Sequence, residues 1–175
     1  MMTTSRTTRL LVLALCLGAS PVCAQDDEKK PDPEVQKKID QLEDAVKDRK
    51  FTRDQEAIGL IDELVQVQEG MHPKDRSSFL KALDRVFKAR ARKPDNPGLY
   101  NATAYALGTL GGAESSRLLV KVYGKKPFKD KEWQSMRETF LENIGRTKDE
   151  KQIEFLVKRA VRDPLDGIKR AAGKA

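Results

Sequence analysis

The chain has little of what most enzymes are built from. Its two cysteines, Cys16 and Cys23, both lie in the first 24 residues. From Gln25 onward there is no thiol to serve as nucleophile, metal ligand, redox partner or half of a disulfide. The 175 residues contain one histidine, His72, and one tryptophan, Trp133. A lone imidazole beside Pro73 excludes a transition-metal site built from histidine and cysteine, and no metal or other cofactor is expected. None of Ser77, Ser78, Ser115, Ser116 and Ser135 lies in a nucleophile elbow, and the adjacent acids Asp62 and Glu63 point to different sides of a helix. No catalytic constellation is present, so the expectation is a protein that is not an enzyme.

Also missing are segments that alternate with a period of two, so there is nothing from which to build a sheet. The longest apolar run, Leu10 to Ala19, is too short to span a bilayer. It is preceded by Arg6 and Arg9 and followed by Pro21-Val22-Cys23-Ala24, which are the three parts of a secretion signal cut after Ala24. Arg6 and Arg9 are too far apart for a twin-arginine signal. Residues 1–24 are therefore expected to be a signal peptide and the protein to be exported, periplasmic or extracellular, with no transmembrane segment after cleavage. Residues 25–32, QDDEKKPD, hold nothing apolar to bury and read as a disordered charged tether.

From position 33 to 175 the apolar spacing is helical, and the fold class is all-α. Val35, Ile39, Leu42 and Val46 form one stripe, with Asp32 as cap and Pro33 in the first turn. Thr52 with Gln55 has the spacing of a capping box ahead of Ile58, Ile61 and Val65. A third helix, from about Lys74 to Arg92, turns Phe79, Leu80, Leu83, Val86 and Phe87 inward and stops at Lys93-Pro94-Asp95-Asn96-Pro97. Leu99, Thr103, Leu107 and Leu110 line the next, which Gly111-Gly112 ends with a left-handed glycine cap; Leu118, Leu119 and Val122 follow. Trp133, Met136, Phe140 and Ile144 make another stripe. Thr147 and Glu150 then offer a second capping box before Ile153, Leu156, Val157 and Ala160.

Leu107-Gly108 overlays Ile144-Gly145, and Leu118-Leu119 overlays Phe155-Leu156, both at an offset of 37 residues. One offset shared by two helices means one repeating unit, and a divergent earlier copy is marked by Phe79-Leu80. The segment from Ala102 to Tyr123, ATAYALGTLGGAESSRLLVKVY, resembles a HEAT-like repeat of the kind found in bilin lyases, and Met136 to Ala172 is similar to the next one and a half repeats. The resemblance covers Leu99 to Ala175 and fades upstream, where Gly70-Met71-His72-Pro73 replaces the Leu-Gly turn. It implies a short α-solenoid of about three helix pairs plus an N-terminal helix, related to armadillo-like repeats, in which second helices line a concave face.

The net charge is +7, or +5 without the two leader arginines. On the third helix Lys81, Arg85, Lys88 and Arg92 share a face, extended by Lys93; Arg117 with Lys121 and Lys125, then Lys158 with Arg162, repeat the pattern. Two readings stay open: solvated faces of amphipathic helices, or a basic concave groove for a partner. The groove would suit an acidic protein segment, the most expected partner, or an anionic envelope polymer, through attraction screened within about 8 Å. Nucleic acid is not expected, because Phe79, Phe87, Trp133, Phe140 and Phe155 lie on apolar stripes rather than on a stacking surface. The expected function is an exported binding or scaffold protein. The alternative, implied only by the resemblance, is a non-catalytic subunit or a bilin-lyase-like chaperone or enzyme component.

Overall fold

The computed structural model describes residues 30–89 and 91–175. The expected signal peptide, and the tether up to residue 29, lie outside the described residues. The described part is all-helical, with no strand. Eight α-helices pack against one another: α1 (Pro33–Val46), α2 (Asp54–Gln66), α3 (Pro73–Lys88), α4 (Gly98–Leu110), α5 (Gly112–Tyr123), α6 (Gln134–Arg146), α7 (Ile153–Arg162) and α8 (Asp166–Lys174). No helix among the described residues is long and apolar enough to cross a membrane.

The helices fall into two rows. α2 packs on α4, α4 on α6 and α6 on α8; α1 packs on α3 and α3 on α5. α7 continues the second row, its Phe155 ring standing at 90° to Tyr123 of α5 with centroids 5.5 Å apart. Contacts of α1 with α2, α3 with α4, α4 with α5, α5 with α6 and α7 with α8 join the rows. The apolar positions of all eight helices thereby merge into one core. At its middle lies a cluster of five rings, Phe87, Tyr100, Phe128, Trp133 and Phe140, with neighbouring centroids between 5.1 and 6.4 Å. Edge-to-face pairs predominate, the arrangement that ring quadrupoles favour.

Glycine sets the spacing within the α2–α4–α6–α8 row. A Cβ on Gly108 of α4 would lie 2.5 Å from Oδ1 and 3.0 Å from Cβ of Asn143 on α6. At the equivalent position, 37 residues on, a Cβ on Gly145 of α6 would run into the backbone of Ala175 beyond α8.

Several helix ends differ from expectation. Asp32 caps α1 through Glu34 N (2.9 Å), as its sequence predicts. Thr52, however, forms no capping box: its hydroxyl and amide both donate to Asp48, which also accepts from Lys50 N and Arg53 N. Thr147 turns its hydroxyl back to Ile144 O (2.6 Å), and Asp149 caps the next segment through Lys151 N. In both places the hydroxyl is a donor, to Asp48 and to Ile144 O, rather than the acceptor that a capping box requires. His72, expected to be a plain loop residue, caps α3, its Nδ1 accepting from Lys74 N at 3.1 Å. Gly111 has φ 69° and ψ −175°, a region open only to glycine but not the left-handed helical cap predicted. Its neighbour Gly112 donates to Thr147 O, tying α5 to the end of α6.

Two further departures bear on function. α3 ends at Lys88, four residues before Arg92. In α7 only Leu156 of the predicted inward set is buried; Ile153 and Val157 face solvent.

Candidate binding groove

α3 and α5 are neighbours in the same row, and a shallow groove of about 340 Å³ runs between them. Leu80 of α3 and Leu118 of α5 form its floor, both half-buried against the core. Lys81 from α3, and Arg117 and Lys121 from α5, line its walls and are exposed. The periodicity explains why they meet: Lys81 follows Leu80, and Arg117 and Lys121 flank Leu118, so each basic residue borders the apolar position facing the gap. Ser77, Asp84 and Glu114 complete the lining.

The acidic residues in the groove are partly committed. Asp84 pairs with Lys88 one turn on. Its other oxygen, Oδ1, is buried with no hydrogen-bond partner. Lys125, just past α5, reaches back and donates to Phe87 O at 2.9 Å, satisfying a carbonyl at the C-terminal end of α3. Burial holds the Lys125 ammonium below the usual lysine range, opposed by the nearby Asp84 carboxylate. Arg117 is steadied by Nε donating to Ala113 O at 2.9 Å.

The structure splits the predicted basic ridge. Arg85 points towards α1 and pairs with Glu43. Lys88 is exposed at the groove's end beside Asp84. Arg92 leaves the ridge altogether: its side chain is 1% exposed and paired with Asp54. α3 ends four residues earlier than the spacing predicts, so Arg92 is not held on its face and pairs instead at the start of α2. Lys93 beside it is exposed. Lys158 and Arg162 line a different depression, on α7, with Glu154, Val157 and Val161.

A second polar constellation was not foreseen. Asp163, with a side chain 1% exposed, lies 3.4 Å from Arg137 and 3.6 Å from Arg159. Both guanidinium groups lie over the Tyr123 ring, at 5.1 and 5.2 Å, and Arg137 donates to its hydroxyl. The only advance sign was Asp163-Pro164 before a short helix. The arrangement ties α5, α6 and α7 together. Among the described residues no group of three or more acidic or histidine side chains gathers for a metal ion.

Comparison with protein-family models, with curated proteins and with solved structures gives no match to this chain.

Proposed function

We propose that the chain is an exported binding or scaffold module, a short HEAT-like α-solenoid that takes up an acidic segment of a protein partner in the groove between α3 and α5. The observation that carries this reading is the convergence of Lys81, Arg117 and Lys121 over the apolar floor of Leu80 and Leu118. An extended or helical peptide laid there would bury apolar side chains on the two leucines while its carboxylates met the three cations. The two-row packing and the 37-residue recurrence support the solenoid reading, and the leader sequence supports export. The third basic set, Lys158 with Arg162, belongs to another surface and is left out of the groove.

The test is binding of a fluorescent glutamate-rich peptide containing leucines, at low and at physiological salt. The native protein is expected to bind it, more weakly as salt rises. The triple variant Lys81→Glu, Arg117→Glu, Lys121→Glu keeps its helicity, because all three side chains are exposed, and loses the peptide. Undiminished binding by the triple variant would remove the groove from the proposal.

A further inference from the structure

The largest exposed apolar feature among the described residues is a stripe on α7. Ile153, Val157 and Val161 recur every four residues and are 56%, 55% and 69% exposed. At about 100° per residue, the stripe lies on the side of α7 opposite Phe155 and Arg159, the two residues that meet Tyr123 of α5. It therefore faces outward along the row, where a further helix could lie alongside. The other end of the row is different: the exposed residues of α1 include Glu34, Lys37, Asp40, Gln41 and Asp44, while Val35, Ile39, Leu42, Ala45 and Val46 are all buried. One end of the row is polar and the other apolar.

We propose that α7 is a self-association surface on which a second copy of the chain docks through its own α7, antiparallel, about a twofold axis near Val157 and Lys158. Head-to-tail stacking is disfavoured, because it would press the charged face of α1 against the valines. Tail-to-tail pairing sets Ile153 against the partner's Val161 and Val157 against the partner's Val157. The flanking charges fit the same symmetry: Glu154 and Arg162 lie to one side of the stripe, equally far from Lys158. Reversal of the second helix places each Glu154 opposite the other copy's Arg162 and the two Lys158 opposite each other, so two symmetric ion pairs flank one like-charge contact in an isologous interface. Three aliphatic residues per copy make a small interface, so the dimer is weak and concentration-dependent.

Sedimentation velocity over a wide concentration range tests this. The native protein is expected to pass from monomer to dimer as concentration rises. Val157→Glu, at an exposed position, is expected to stay monomeric with unchanged helicity. Arg162→Glu opposes two acidic pairs and is expected to weaken the dimer about tenfold. Adding Glu154→Arg to that variant re-forms both pairs in reversed sense and is expected to restore the dimer, which non-specific apolar association would not do. A native protein that is monomeric at every concentration overturns the proposal, as does a dimer that survives Val157→Glu. Failure of the double exchange to rescue overturns the antiparallel register.

Discussion

Arg92 and Asp54, 38 residues apart, form a buried two-pronged ion pair: Nη2 donates to Oδ1 at 2.8 Å and Nε to Oδ2 at 3.1 Å. The guanidinium lies over the Phe51 ring at 4.9 Å and near Tyr100 at 5.9 Å, while the Arg92 amide donates to the Tyr100 hydroxyl. The pair fastens the segment after α3 to the start of α2. Asp54→Ala takes away both prongs of this pair from a guanidinium whose side chain is 1% exposed, and is expected to cost about 3–5 kcal/mol in urea unfolding. The double replacement Asp54→Leu, Arg92→Met is expected to cost less than Asp54→Ala, because the buried guanidinium leaves together with its carboxylate and apolar side chains fill the space. A double variant less stable than that single one would contradict this account.

Gly108 is held small by Asn143. Gly108→Ala forces α4 and α6 apart and is expected to lose about 1–3 kcal/mol. Adding Asn143→Ala removes the oxygen that the new methyl meets first, and that oxygen has no hydrogen-bond partner to lose. Thermal melts should therefore show partial recovery in the double variant.

Asp48 gathers the turn between α1 and α2. Hydrogen bonds from Thr52 and from the Lys50, Thr52 and Arg53 amides hold its carboxyl down at about 2. A carboxyl depressed in the folded state contributes stability that is fully present above its unfolded value of about 3.9 and is lost as pH falls through about 2. Melting temperatures of the native protein and Asp48→Asn should differ most above pH 4 and converge towards pH 2. A gap that does not narrow would assign the turn to other contacts.

Lys148, just past α6, has φ 55°, a left-handed conformation that costs a side-chain-bearing residue. Lys148→Gly is expected to stabilise the protein by up to about 1 kcal/mol, and Lys148→Val to destabilise it, both read from denaturant midpoints.

The helices themselves were legible because each has a strong local period: the stripes Val35, Ile39, Leu42, Val46 and Trp133, Met136, Phe140, Ile144 are buried in full. The groove was half legible. Lys81, Arg117 and Lys121 could be placed on helix faces, but which face met which neighbour depended on how the rows packed. Arg92 shows the limit most clearly, since spacing put it on the ridge and a partner 38 residues away took it into the core. α7 shows a second limit: it carries two apolar stripes, and periodicity alone cannot say which one the core takes. The recurrence of Ile153, Val157 and Val161 at every fourth position was the signal that a second face existed.

The five-ring cluster has a spectroscopic consequence. Trp133 is the only tryptophan in the chain, and its ring is buried among Tyr100 and Phe128 at the junction of α3, α4 and α6. Its emission therefore reports the middle of the molecule and is blind to fraying of α1 or α8, whereas far-ultraviolet dichroism sums every helix. Coincident transitions by the two signals would mark one cooperative unit, and dichroism lost ahead of fluorescence would mark melting inward from the ends.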